Sequence, residues 1–254
     1  QTRTALRATN IDLLNYLPRS RNEWIETMEK AWSKTAVAGF VAALIVVALA
    51  IVSGFGHRWG WWDFRWGFTL LKFAFFGSFV ALALSLIGGV FARPGTNRRG
   101  LVLAICGIAI SIAVAYVPWN EKRKASALPL IHDITTDTQN PPEFIAVLPM
   151  RGANSNSTVY AGSAIAELQL KAYPDIQPLL TDQSADVMFN KALDTAKRLQ
   201  WEIVAADPVA RRIEATDTTL WYGFKDDIVI RITAQPDGSR VDVRSMSRVG
   251  LSAV

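Results

Sequence analysis

The 254-residue chain has one cysteine and two histidines. Cys106 alone can form neither an internal disulfide nor a cysteine metal site, so it reads as a small packing residue and leaves the redox compartment open. His57 and His132 lie far apart and give no paired-histidine metal spacing. A glycine-rich phosphate loop, a nucleophile elbow and, in the C-terminal half, a cysteine nucleophile are also missing. These absences remove the usual motifs of catalysis, and no cofactor or metal is expected.

Charge is absent where it is most informative. Residues 36–56, 73–92 and 100–120 contain no Asp, Glu, Lys or Arg, and each run is about the 20 residues a helix needs to cross a bilayer. Lys72 lies where it can snorkel to the surface, and no ionisable group lies mid-span, which argues against a transporter, channel or proton relay. The net charge of +5 is uneven: residues 1–119 carry +7 and the remainder −2. Basic residues beside spans are topogenic and attract anionic lipid, so the pI gives no reason to expect a nucleic-acid partner.

The sequence divides at Trp119 into three expected parts: an N-terminal tail with an interfacial amphipathic helix (1–35), a three-span transmembrane domain (36–119) and a soluble domain (120–254). Ser20 and Glu23 have capping-box spacing, followed by Trp24, Ile25, Met28, Ala31 and Trp32 at helical spacing. No secretory signal peptide is visible. Trp24, Trp32, Trp59, Trp61, Trp62, Trp66 and Trp119 read as interface aromatics. Four of them crowd the loop between His57 and Trp66, where the sharper alternative is a heme or pigment site with His57 as axial ligand.

Small residues recur at Gly77, Ala81, Ser85 and Gly88 or Gly89 in the second span, and at Gly107, Ser111 and Ala115 in the third. Such stripes predict close packing, either within the bundle or against another membrane subunit. Arg93, Arg98 and Arg99 occupy a short loop without acids, which puts that loop and the N terminus in the cytoplasm and the soluble domain in the periplasm. Arg58, Arg65 and Lys122 to Lys124 pull the other way. The expected location is the bacterial cytoplasmic (inner) membrane, with lipids and other membrane subunits, or further copies of the chain, as partners.

In the C-terminal part, residues 128–150 read as extended chain and turns, and 151–180 as a long, partly ordered connection containing a helical or extended patch at 164–170. Ser184 caps a helix with Ala185, Met188, Phe189, Ala192, Ala196 and Leu199 on one face. From Trp201 the period changes to two, giving three or four antiparallel strands, with a turn at Pro236-Asp-Gly-Ser239. The predicted fold class is three transmembrane α-helices plus a small α+β domain, an amphipathic helix packed on an antiparallel β-meander. Strand parity places Asp217 with Ile213 and Ala215, and Asp226 with Ile228 and Ile230. Acids on a buried face need a partner or a bulge, or they line a cleft.

His132-Asp-Ile-Thr-Thr-Asp137, Asn140-Pro-Pro-Glu-Phe144, Trp201-Glu-Ile-Val204, Ile213-Glu-Ala-Thr-Asp-Thr-Thr219, Gly223-Phe-Lys-Asp-Asp227 and Val241-Asp-Val-Arg-Ser245 follow one another in this order. Together they resemble the bacterial and plastid family called domain of unknown function 1499, over about residues 128–250. The resemblance implies a domain often placed after a few membrane spans and no established reaction. After Arg248-Val-Gly250 the sequence departs from the family pattern at Leu251-Ser-Ala-Val254.

Three functions follow as expectations. The first is an accessory or scaffold subunit docked on a larger inner-membrane complex, with a photosynthetic or respiratory assembly as a natural host. The second is a membrane-tethered hydrolase or metal-dependent enzyme, with His132, Asp133 and Asp137 as candidate catalytic residues and Asp217 or Asp226 brought near by folding. The third is lipid or hydrophobic-ligand handling by residues 221–224. Asp133-Ile-Thr-Thr-Asp-Thr138 is also an ordinary turn-forming string, which favours a structural role.

Overall fold

The computed structural model describes residues 30–250. The Ser20 capping box, Trp24 and residues 251–254 lie outside the described residues. The described residues form two compact units, one of 30–50 with Leu70–Tyr116, the other of Ile51–Thr69 with 117–250.

Among the described residues three helices are long and apolar enough to cross a membrane: α1 (Lys34–Arg58), α2 (Phe64–Phe91) and α3 (Leu101–Ser126). With 25, 28 and 26 residues, each exceeds the roughly 20 that a span needs. Helix α3 runs through Trp119 to Ser126, so the change of composition at Trp119 is not a break in secondary structure. Buried Ser33 starts α1, its Oγ accepting from the Ala36 amide at 3.3 Å. Just before it, β1 (Ala31–Trp32) pairs in parallel with β2 (Arg98–Arg99), which leads into α3.

In the helical unit the buried positions of α2 are Ala74, Ser78, Ala81, Ser85 and Gly88, a repeat of three and four residues. A side chain at Gly88 would bring its Cβ within 2.4 Å of the Ala36 backbone, and one at Gly107 within 2.3 Å of Ser85 Oγ. Gly77 lies against Val46, and Ser111 is buried. These small residues therefore serve helix approach inside the bundle. Gly89 has ordinary room, 3.6 Å from the Ala104 Cβ. Ala115 is only half-buried, and its neighbour Val114 takes the core position with Val46 and Ala74. Cys106, expected to pack, lies exposed on α3.

The second unit contains a six-stranded antiparallel sheet. Its strands are β3 (Asp133–Thr135), β4 (Leu179–Thr181), β5 (Glu202–Asp207), β6 (Arg212–Thr218), β7 (Lys225–Gln235) and β8 (Gly238–Ser247). The order is β3-β8-β7-β6-β5, and β4 pairs with the other end of β8. Pro236 and Asp237 form the turn between the paired Gln235 and Gly238.

Two helices accompany the sheet. The segment expected to be partly ordered contains α4 (Ser163–Ala172). Its buried Gln169 accepts from the Thr135 amide at 3.0 Å and donates to the Thr135 carbonyl at 2.7 Å, replacing a strand neighbour for β3. Helix α5 (Ala185–Arg198) is capped by Ser184, whose Oγ accepts from the Val187 amide. Its Ala185 and Phe189 pack on Ile213, Ile228, Ile230, Ile232 and Val241, the face that period-two reading assigns to the helix.

Candidate functional site

The opposite face of the sheet is charged and buried. Pairing aligns Arg212, Glu214 and Thr216 of β6 with Arg231, Val229 and Asp227 of β7, and these with Asp242, Arg244 and Met246 of β8. Glu214, Asp227, Asp242 and Arg244 are all buried, which is tolerable only if each is paired and hydrogen-bonded.

Each has such partners. Arg244 forks onto Asp133, Nε to Oδ1 at 2.9 Å and Nη2 to Oδ2 at 2.8 Å, and also donates to the Pro142 and Thr158 carbonyls. Its guanidinium lies over the Phe144 and Tyr160 rings. Asp227 accepts from Arg151, Arg248 and Thr216. Glu214 accepts from the Ile145 and Val147 amides, both at 3.0 Å, and pairs with Arg212. Asp242 pairs with Arg231 and Arg240. Residues 142–158 thus cover the polar face and supply many of its partners.

The candidate acids are not brought to one reaction centre. Asp133 has both oxygens on Arg244, while Asp137 pairs with Arg231 and Arg240. Burial alone would raise the Asp137 carboxyl, but the Asn140 and Gln139 amides and the two arginines hold it below its ordinary range. A carboxylate so stabilised is a poor general base at neutral pH. His132 is half-buried, and its carbonyl accepts from the Ser247 amide. Among the described residues no group of three or more His, Cys, Asp or Glu side chains could hold a metal ion.

Asp217 and Asp226 do meet, directly opposite each other on the helix-facing side of β6 and β7. Asp217 is exposed and accepts from the Thr218 amide at 2.8 Å. Asp226 is pushed above its ordinary range by burial, against a Ser247 hydrogen bond that lowers it, with Asp217 and Asp227 adding repulsion. Both acids lie at the end of the apolar face, where Asp217 is turned to solvent.

Two clefts flank the Asn140–Glu143 strap. One of about 340 Å³ is bordered by Asn140, Glu143, Phe144 and Tyr160, the other, of about 220 Å³, by Glu143, Arg212 and Arg231. The arginines Arg151, Arg231 and Arg248 and the amide Gln169 escaped sequence reasoning. The alternation of Asp242, Arg244 and Met246 marks their face, but nothing local in it announces a cover.

The other organised cluster lies where the β6–β7 loop meets residues 51–68. Trp221 Nε1 donates to the Ile51 carbonyl at 3.1 Å, the Tyr222 hydroxyl meets Ser53 Oγ, and Arg58 donates to the Thr219 and Leu220 carbonyls at 2.7 and 3.0 Å. Phe64 and Phe68 pack on Phe224, and Phe68 also on Tyr222. His57 sits among Phe64, Tyr222 and Phe224 with Nδ1 3.1 Å from the Trp62 carbonyl. Trp32, Trp59, Trp61, Trp66 and Trp119 are exposed, whereas Trp62 turns inward, fills the space at Gly56 and donates to the Ser53 carbonyl.

No curated protein and no solved structure matches the chain. Residues 133–254 match the family model described as protein of unknown function (DUF1499). The match begins at Asp133 and takes in every acid and arginine of the buried polar face. Over these residues the sheet domain is similar to that family, and three helices long and apolar enough to span a membrane precede it in the sequence.

Proposed function

We propose that the protein is a membrane-anchored accessory or scaffold subunit that docks on a larger bacterial inner-membrane complex, its sheet domain bracing the extracytoplasmic face. The observation that carries this reading is the tie between the β6–β7 loop and residues 51–68, made by Trp221, Tyr222 and Arg58. The tie joins the sheet to residues 51–68 within one compact unit, which suits bracing. The acids of the family motifs support the same reading, because their arginine and amide partners give them a structural task.

Orientation follows from Arg93, Arg98 and Arg99 in the acid-free α2–α3 loop, which favours the cytoplasm for that end. Purification from native membranes in mild detergent tests the function. Co-migration with membrane subunits in a fixed ratio is expected. A chain that always runs as a lone monomer overturns the proposal.

A further inference from the structure

A cavity of about 570 Å³ lies at the α2–α3 loop, within the helical unit. Lys30, Arg93, Arg98 and Arg99 contribute to its wall, and among the described residues none that lines it is acidic. Its other wall is apolar, made by Ala92 and the first turn of α3, Leu101 to Leu103.

Several features fit this space to an anion. Arg99 lies over the Trp32 ring at 4.3 Å, and its buried Nε has no hydrogen-bond partner among the described residues. An unpaired buried guanidinium N–H is costly, and a bound anion would remove the cost. The first amides of α3 have no partner within the helix, and its first turn carries no acid, so the dipole also favours negative charge there. The β1–β2 pair fixes Arg98 and Arg99 from the main chain, and the Phe91 and Trp32 rings carry their guanidinium groups.

The apolar wall selects among anions. Val102, in the cavity wall, is 73% exposed on a helix long and apolar enough to face hydrocarbon. A free phosphate would leave that surface uncovered, whereas an acyl chain would cover it. We propose that this cavity is a binding site for an anionic phospholipid, the headgroup phosphate held by Arg98, Arg99 and the α3 amides and an acyl chain lying along Leu101 to Leu103. The site does not depend on docking to another subunit.

Native mass spectrometry of the full chain, delipidated in a neutral detergent, tests the site. Added phosphatidylglycerol should be retained as one molecule per chain in preference to phosphatidylcholine of the same acyl chains. R98Q/R99Q should weaken retention roughly tenfold or more, since each basic group near a headgroup contributes on the order of 1 kcal/mol. R93Q, at an exposed position, should weaken it less while preserving the β1–β2 region, and R65Q near the opposite end of α2 should leave it unchanged. Equal retention of the two lipids, or undiminished retention in R98Q/R99Q, overturns the proposal. Displacement of phosphatidylglycerol by millimolar inorganic phosphate also overturns it, because the site would then recognise a free anion.

Discussion

The Tyr222 hydroxyl lies 3.3 Å from Ser53 Oγ, joining a loop of the sheet to the C-terminal half of α1. Trp221 enters beside it so closely that a Cβ on Gly54 would come within 2.3 Å of the indole. Gly54→Ala is therefore expected to loosen the β6–β7 loop, read as faster amide exchange at residues 219–224. Trp221→Ala should loosen it alone, and Gly54→Ala should add little once the indole is gone. Strictly additive effects would show that the two residues are not in contact.

Arg244 and Asp133 form a buried ion pair with all four interacting atoms in one fork. Arg244→Ala leaves the Asp133 carboxylate buried without its counter-charge and should cost about 3–5 kcal/mol. Arg244→Lys keeps the charge but loses the planar fork and its stacking on Phe144 and Tyr160, so it should also destabilise. Denaturant unfolding of the detergent-solubilised protein measures both. A change below about 1 kcal/mol in Arg244→Ala contradicts the role assigned to the pair.

Asp226 gives a pH signature. Its folded-state carboxyl is raised above the ordinary 3.8 by burial, partly offset by Ser247 and increased by Asp217 and Asp227. Its contribution to stability is fully present below the unfolded value and is lost as pH rises through the raised folded value. Asp226→Asn should therefore raise the melting temperature at pH 7.5, and the gain should vanish as pH falls to the unfolded value. A gain that is the same at pH 4 and pH 7.5 would rule out titration as its cause.

Neighbouring glycines on α2 should differ sharply. Gly88→Ala places its Cβ 2.4 Å from the Ala36 backbone, which cannot yield without moving a helix, whereas Gly89→Ala meets only a methyl at 3.6 Å. Thermal unfolding in detergent should show a lowered midpoint for Gly88→Ala and little change for Gly89→Ala. The reverse order would place the helix contact on the wrong face.

Legibility in the sequence followed the range of the interactions. The spans were visible because uncharged length is a local property, and the strands after Trp201 because alternation is local too. Parity even put Asp217 and Asp226 on one face, since their register depends on the strands alone. Gln169 was unreadable, because its task is to complete the edge of a strand 34 positions earlier in the chain. Asp133 reads from the sequence as a candidate catalytic carboxylate beside His132, because its partner Arg244 lies 111 positions later. Spacing along a chain shows which side chains share a face, but not whether another segment covers it.

Strand β8 bonds to β7 along one edge and to both β3 and β4 along the other. During synthesis the three hydrophobic helices emerge before any of these strands, while β8 emerges last among them. Until it arrives, β3 and β4 have no ladder partner, and Asp133 waits without Arg244. The helices can enter the bilayer early, but the sheet closes only at the end, as β8 brings both the missing hydrogen bonds and the missing counter-charge.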